Sequence, residues 1–182
     1  MHMLNFICLT CQTDGKQRDK YGETQAVTDD LAAEAGIRQL HARYADAVFR
    51  KDFVSFGDCF TPDAVWRLGP HVLRGRAEAV AFLIEKTANS RFVLMNFGTP
   101  ILSIGDGTAT GRTPVVEKNV FHDAPPSHRV ATYYEHFIAQ EGVWRRAYAL
   151  FALHYMGPDD YSGDFYPIAD YGPPPSMPKL EY

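Results

Sequence analysis

The sequence predicts an α+β fold, and the order of its hydrophobic periods is the main reason. Apolar residues recur at helical spacing in the first half of the chain, and from about residue 91 the spacing changes to the alternation of β-strands. Helices followed by a long strand meander are typical of an α+β fold rather than a doubly wound parallel sheet. We therefore expect a cone-shaped, curved antiparallel sheet that wraps around N-terminal helices.

Size and composition favour a single domain and exclude several classes of function. The chain has 182 residues, of which 46% are hydrophobic, which is enough for one sizeable core. The formal net charge is -4 and basic residues are scattered, so we expect no nucleic-acid partner. No apolar run approaches the roughly 20 residues that span a bilayer, and the first residues lack signal-peptide features. We expect a cytoplasmic protein with no membrane partner.

Three regions are expected along the chain. Residues 1–27 are polar without a clear period and are expected to form a flexible leader. Residues 28–156 form the domain, and residues 157–182, rich in Pro, Gly, Asp and Tyr, form an irregular tail. Cys8 and Cys11 form a C-x-x-C in the leader without the second pair that a zinc site needs, so we interpret this motif as incidental.

Helical periodicity predicts three helices, at about 29–51, 53–60 and 76–87. The first has an apolar stripe that should face the core, formed by Ile37, Leu40, Tyr44 and Val48. Cys59 lies among aromatic residues in FGDCFTPD and is expected to be a small buried residue rather than a nucleophile.

The segment TPVVEKNVF, residues 113–121, is predicted to be a strand that carries a glutamate where valine is usual. Because side chains alternate along a strand, Glu117 shares one face with Thr113, Val115 and Asn119. A glutamate buried among apolar groups has a raised pKa, which suits a general base or acid near neutral pH. The alternative is an edge residue in solvent.

The concave side of the sheet is expected to present one set of residues to a single cavity: Tyr44, Phe49, Leu94, Asn96, Val115, Glu117, Tyr133 and His154. Taken singly, the tyrosines also fit ordinary core positions, and a lone histidine on an apolar strand is more often structural. Arg129, beside His128, is expected at the rim, where it can bind an acidic group. A single β-bulge would shift this register and exchange Glu117 for Lys118.

Three stretches resemble the SnoaL-like branch of the nuclear transport factor 2-like superfamily: IRQLHARYADAVFRKDFVSFGDCFTPDAVW, GTATGR and HFIAQEGVWRRAY. The resemblance covers roughly residues 30–156 and implies a cystatin-like α+β barrel. The branch includes scytalone dehydratase, bile-acid 7α-dehydratase and cofactor-free lyases of lignin-derived diaryl compounds. The resemblance therefore implies an enzyme without a cofactor or metal, and a homodimer or homotrimer, because the family uses both assemblies.

Carried over residue by residue, the resemblance supports part of a catalytic site. Tyr44 falls where the bile-acid dehydratase has a catalytic tyrosine, and Glu117 where dehydratases have an aspartate or histidine. Phe49 and Asn96 stand where these enzymes have a catalytic aspartate and histidine. The usual His-Asp dyad is therefore absent, which leaves Glu117 as the strong acid-base group.

These observations predict a cofactor-independent lyase with a hydrophobic, aromatic or polycyclic substrate. Glu117 is expected to be the general base, with Tyr44, Tyr133 and Asn96 as hydrogen-bonding groups for a substrate oxygen. The expected reaction is elimination of water or retro-aldol loss of a small aldehyde. Two alternatives remain: an isomerase or cyclase that uses the same pocket, and a binding protein without turnover.

Overall fold

The computed structural model describes residues 14–168 and residue 177. Its helices are α1 (Asp14–Arg50), α2 (Phe53–Gly57) and α3 (Gly75–Thr87). Its strands are β1 (Phe60–Leu68), β2 (His71–Arg74), β3 (Ser90–Phe97), β4 (Ile101–Gly105), β5 (Thr108–Phe121), β6 (Ser127–Gln140), β7 (Val143–Gly157) and β8 (Asp164–Phe165). The predicted α+β layout, with helices before a long strand meander, is confirmed.

Helix α1 is longer than its hydrophobic pattern predicts. The predicted stripe is buried, with Ile37 and Leu40 fully inaccessible and Tyr44 1% exposed. However, the helix begins at Asp14 rather than near residue 29, so residues 14–27, expected in a flexible leader, are helical. Residues 25–32 are exposed. An exposed helical segment needs no apolar stripe, so hydrophobic periodicity cannot detect it.

The sheet is mixed rather than wholly antiparallel, and it does not close. Its strand order is β2-β1-β7-β6-β5-β3, with β4 paired to β5 and β8 paired to β7. Every pairing is antiparallel except that of β1 with β7, which is parallel. β1 follows α2 in the chain, and no hairpin turn joins it to β7. No local turn therefore decides whether β1 pairs parallel or antiparallel to β7. The expectation of an antiparallel sheet is wrong for this one pairing.

The core lies between the helices and the concave face of the sheet. Helix α1 packs against β3 and β7, and α3 packs against β1. The alternation predicted for β5 is confirmed, because Val115 and Glu117 are buried while Lys118 is exposed. Cys59 is 1% exposed, as predicted, and its Sγ donates to the Ser55 carbonyl oxygen. Among residues 14–168, no helix is long and apolar enough to span a membrane.

The described part of the tail folds back against β7. The two residues of β8 pair with Tyr155 and Met156, and the Tyr155 hydroxyl donates to the Pro158 carbonyl oxygen at 2.6 Å. Glycine is required here, since a Cβ on Gly163 would lie 2.5 Å from the Met156 carbonyl oxygen. The C-x-x-C at Cys8 and Cys11 and most of the tail beyond residue 168 lie outside the described residues.

Candidate active site

A cavity of about 610 Å³ lies between the helices and the concave face of the sheet. Its walls are mainly apolar and aromatic, with Trp66, Phe82, Val93, Met95, Phe121 and Phe151 among them. Polar atoms reach it from a few residues only, including Tyr44, Tyr133, Glu117, Asn119 and Arg129. An apolar cavity of this volume with a few convergent polar groups is typical of a small-molecule site.

Two tyrosines meet at one side of this cavity. Tyr44 comes from the buried stripe of α1 and Tyr133 from β6, and their hydroxyl oxygens lie 3.2 Å apart in a hydrogen bond. Burial raises the pKa of each phenol, and the field of Glu117 raises both further. Both phenols are therefore neutral at physiological pH and act as hydrogen-bond donors or acceptors.

Glu117 is the cavity's carboxylate. It is 7% exposed and shares the inward face of β5 with Val115. Burial raises its pKa, and Arg129 and Asn119 lower it only in part. Its one ion pair is long, with 3.4 Å between Oε2 and the Arg129 Nη1. The carboxyl can thus change its protonation state nearer to neutral pH than an exposed glutamate can.

Arg129 and Asn119 flank Glu117. Arg129 stands directly opposite Glu117 on β6, and its side chain is 32% exposed. Asn119 is two residues further along β5 and 4% exposed. Its amide lies near the Glu117 carboxyl and lowers the pKa of that group. Even so, Asn119 Nδ2 has no hydrogen-bond partner in the part of the chain that the structure describes.

A buried ionic cluster lies behind the two tyrosines. Glu135 on β6 is fully buried and accepts hydrogen bonds from Arg146 Nε at 2.6 Å and Thr113 Oγ1 at 2.8 Å, while His41 Nε2 lies 3.0 Å away. Burial by itself would raise the Glu135 pKa. The surrounding His41 and Arg146 outweigh this effect and lower it to about 2. Glu135 is therefore a permanent anion.

Arg146 connects this cluster to the phenols. Its guanidinium carbon lies 4.0 Å from the centre of the Tyr44 ring and 4.9 Å from that of Tyr133. Cation–π contact of this kind stabilises a buried guanidinium and fixes the positions of the rings. The cluster thus holds the tyrosines in place from outside the cavity.

Part of the predicted site is placed as expected, and part is not. Tyr44, Glu117, Tyr133 and Arg129 line the cavity, while their chemical roles stay predictions. Val115 is a core residue beneath the cavity rather than part of its lining.

The predicted placements of Leu94 and Asn96 are wrong. Met95, not Asn96, pairs with Glu117 across the β3–β5 ladder and faces the cavity. Leu94 is 38% exposed, and Asn96 lines a separate groove near the end of β3. Both faces of β3 carry apolar residues, so its sequence does not decide which face is buried.

Phe49 and His154 are also outside the cavity. Phe49 follows Val48 around α1, is 48% exposed, and packs against Phe92 with ring centres 5.9 Å apart. His154 is the extra residue of a β-bulge in β7, since Ala131 pairs with Leu153 and Val130 with Tyr155. Phe151 and Leu153 line the cavity, so alternation along β7 points His154 away from it. There its Nε2 lies 2.9 Å from Thr132 Oγ1.

Sequence reasoning missed four functional or supporting residues. His41 lies four residues after Ile37 on the same buried stripe, so helical spacing contained the signal. Asn119 and Glu135 share strand faces with Glu117 and Tyr133, and the alternation contained their signal as well. The sequence contained no such signal for Arg146, because a second bulge in β7, at Ala147, brings this residue to the inward face.

No metal site accompanies these residues in the described chain. Residues 14–168 contain no group of three or more His, Cys, Asp and Glu side chains positioned to hold a metal ion. The chemistry available to the cavity's own side chains is proton transfer by Glu117 and hydrogen bonding by the phenols, Asn119 and Arg129.

Comparison with solved structures places this architecture among similar folds. A proposed scytalone dehydratase from Novosphingobium aromaticivorans is 13% identical, with a TM-score of 0.70 over 76% of this chain and 94% of that chain. A hexachlorocyclohexane dehydrochlorinase, LinA-type3, from Novosphingobium barchaimii is 17% identical, with a TM-score of 0.66 over 77% and 99%. A protein of unknown function from Mycobacterium tuberculosis is 23% identical, with a TM-score of 0.66 over 76% and 80%. Identities this low show a shared fold.

The fold and the cavity together define an α+β cone protein with an apolar pocket between its helices and its sheet. The sequence profile of the SnoaL-like domain matches residues 29–148. The chain belongs to this family, as the three sequence stretches indicated. A comparison with proteins of curated function finds no match to this chain.

Proposed function

We propose that the protein is a cofactor-independent lyase for a hydrophobic, aromatic or polycyclic small molecule. In this proposal it either eliminates water from its substrate or releases a small aldehyde by retro-aldol cleavage. Glu117 is the general base, and the paired phenols of Tyr44 and Tyr133 hold a substrate oxygen.

The observation that carries the proposal is the environment of Glu117. A carboxylate that is 7% exposed, and held by one long ion pair, faces a cavity with mainly apolar walls. A structural glutamate in such a place would need several strong partners, as buried charges are otherwise destabilising. Weak pairing leaves the carboxylate oxygens available to a substrate proton, and the raised pKa makes the group a stronger base.

The shape and lining of the cavity support the proposed substrate class. Its volume of about 610 Å³ accommodates a molecule of two or three fused or linked rings. Trp66, Phe82 and Phe151 provide aromatic surfaces for such rings.

Both proposed reactions use one base and no redox step. In elimination, Glu117 takes a proton from the carbon next to an electron-withdrawing group, the C–H electron pair becomes the new double bond, and the C–O bond breaks. The proton is then delivered to the leaving hydroxide, so water departs and Glu117 is again a carboxylate. In retro-aldol cleavage Glu117 takes the hydroxyl proton, the adjacent C–C bond breaks, an aldehyde forms, and the resulting carbanion receives the proton.

The phenol pair supplies the complementary electrostatic contribution. The two hydroxyl groups, 3.2 Å apart, share one hydrogen bond, in which one phenol donates to the other. A substrate oxygen that accepts both hydroxyl hydrogens replaces this bond, and charge that develops on that oxygen is then stabilised by both donors. Arg146, 4.0 Å from the Tyr44 ring centre, lowers the Tyr44 pKa in part and so strengthens that phenol as a donor.

Product mass tests this function. The purified protein is incubated with a panel of aryl compounds that carry a hydroxyl group β to a carbonyl or to a second ring. Loss of the mass of water or formaldehyde supports a lyase, and an isomerised product of unchanged mass contradicts it in favour of an isomerase. Glu117→Gln should abolish the product and Lys118→Gln should not, because Lys118 is the next residue of β5 and faces away from the cavity.

A further inference from the structure

We propose that Asn119 and Arg129 form a second oxygen-binding subsite, which accepts a neutral carbonyl group of the substrate beside Glu117. The inference rests on the proposed function and adds to it the class of substrate, an aryl ketone or a related carbonyl compound. The carbonyl oxygen is held at this subsite, and the second oxygen of the substrate lies at Tyr44 and Tyr133.

The first observation is the amide of Asn119. This side chain is 4% exposed and lines the cavity. Its amide interacts with the Glu117 carboxyl, whose pKa it lowers, but Nδ2 carries two N–H donors and makes no hydrogen bond of standard geometry among the described residues. A buried N–H donor without an acceptor is rare in folded proteins because its desolvation is not compensated. A substrate oxygen in the cavity is an acceptor that satisfies this donor.

The second observation is the guanidinium of Arg129. Arg129 stands opposite Glu117 on the neighbouring strand, so it is the diagonal neighbour of Asn119 on the same face, at about 7–8 Å between backbones. A guanidinium carries five N–H donors, and within residues 14–168 this one makes a single hydrogen bond, of 3.4 Å, to Glu117. Arg129 can therefore donate a hydrogen bond to a ligand oxygen and keep its ion pair with Glu117.

Charge favours a neutral carbonyl over a carboxylate at this subsite. Glu117 already balances Arg129, and Lys86, another cation of the cavity lining, pairs with Glu85 at 2.8 Å. A ligand carboxylate would bring a second negative charge close to Glu117. A neutral carbonyl oxygen accepts the same two hydrogen bonds without that repulsion.

The arrangement matches the needs of proton abstraction next to a carbonyl. When Glu117 removes the α-proton, the C–H electron pair forms a C=C bond and the carbonyl π electrons move to oxygen, which gives an enolate. Asn119 and Arg129 donate to that oxygen as its charge develops. Return of the proton from Glu117 to carbon regenerates the ketone, so the exchange step balances by itself.

Three naphthalenes of similar shape test the subsite by direct binding. These are 2-acetylnaphthalene, with the carbonyl; 2-ethylnaphthalene, without an acceptor; and 2-naphthoate, with a negative charge. We expect the ketone to bind about 10-fold more tightly than the ethyl compound, because only the ketone satisfies the Asn119 donor. The naphthoate should bind no more tightly than the ketone.

Asn119→Leu and Arg129→Leu should each reduce this ketone preference to about 2-fold or less. Asn96→Leu is the matched control, since it makes the same change on the outward face of β3. The affinity for 2-ethylnaphthalene reports on the integrity of the cavity in every variant, because that ligand uses neither donor. Equal binding of ketone and ethyl compound to the wild-type protein overturns the subsite. Tighter binding of naphthoate overturns its assignment to a neutral carbonyl.

Deuterium exchange separates this inference from the proposed function. In D₂O, Glu117 should exchange the methyl protons of bound 2-acetylnaphthalene, and Glu117→Gln should not. Ketone preference without exchange supports the subsite and contradicts Glu117 as base. If none of the three naphthalenes binds, both the subsite and the proposed function are contradicted, because the cavity then does not accept a bicyclic aromatic ligand.

Discussion

Two glutamates on the concave face of one sheet, Glu117 and Glu135, each stand beside an arginine, yet they have opposite properties. Glu135 is fully buried and bound at 2.6 Å by Arg146, with Thr113 and His41 completing its shell. Glu117 has one 3.4 Å contact with Arg129. As a result the pKa of Glu135 is lowered to about 2, and that of Glu117 is raised.

Both glutamates are buried, so burial alone does not decide whether a carboxylate is structural or is a candidate base. For Glu135, the surrounding charges and hydrogen-bond donors lower the pKa by more than burial raises it. Glu135 therefore stays ionised, and its role is structural. The burial penalty of Glu117 is only partly offset, and its oxygens face a cavity. The number and quality of partners separates a structural anion from a candidate base.

The largest expected effect is on turnover at Glu117. Glu117→Gln keeps the shape of the side chain but removes its ability to accept a proton, so kcat should fall by about 10² to 10⁴. KM should change little, because the substrate contacts remain. Unimpaired kcat in steady-state measurements would exclude Glu117 as the base.

The comparison predicts that Glu135 affects stability where Glu117 affects activity. Arg146→Met leaves the buried Glu135 without its nearest partner, and should lower the free energy of unfolding by about 3–5 kcal/mol. Urea denaturation of Arg146→Met and of Glu117→Gln measures the free energy of unfolding of each variant. Glu117→Gln should not be destabilised at neutral pH, and similar losses in the two variants would mean that the glutamates have the same role.

Substitution of the phenols should have an intermediate effect on catalysis. Tyr44→Phe and Tyr133→Phe each remove one hydroxyl of the pair and should lower kcat by about 10-fold to 10³-fold. The rings remain packed against Arg146, so far-ultraviolet circular dichroism should stay unchanged. If both single variants keep full activity, the phenols are only structural.

A change in pH should have opposite effects on the contributions that the two glutamates make to stability. Activity should increase as pH rises through the raised pKa of Glu117, since only the carboxylate accepts a proton. Because the folded-state pKa of Glu117 lies above its unfolded value of 4.5, its contribution to stability is fully present below 4.5 and is lost as pH rises through the folded value.

For Glu135 the sign is reversed. Its folded-state pKa, about 2, lies below the ordinary 4.5, so its stabilisation is present above 4.5 and disappears as pH falls toward 2. Wild type should therefore gain stability relative to Glu117→Gln on mild acidification from neutral pH, before both lose the Glu135 contribution. Parallel stability curves of wild type and Glu117→Gln from pH 7 down to the unfolded value of 4.5 would contradict the raised pKa of Glu117.

The smallest effects are expected at residues that the structure places outside the cavity. Asn96→Ala and His154→Gln should change kcat/KM by less than about 2-fold, because neither side chain lines the cavity. A larger loss at either residue in the same assay would place that residue back in the catalytic site.

The sequence alone determined those features that depend on local periodicity. The stripe of Ile37, Leu40 and Tyr44 and the alternation around Glu117 were predicted correctly, because one buried face selects apolar residues at the period of its own element. The α+β class followed from the order of these periods. Cavity placement of Tyr44, Glu117 and Tyr133 followed from the same parity.

Features that depend on contacts between distant segments could not be predicted from the sequence. The parallel pairing of β1 with β7 has no turn to specify it, and β3 could bury either apolar face. The bulge at Ala147 brings Arg146 to the inward face, and the bulge at His154 brings Met156 to the cavity, because one extra residue reverses the parity of a strand. The difference between Glu117 and Glu135 also lies here, since each carboxyl takes its pKa from residues that other strands and α1 bring beside it.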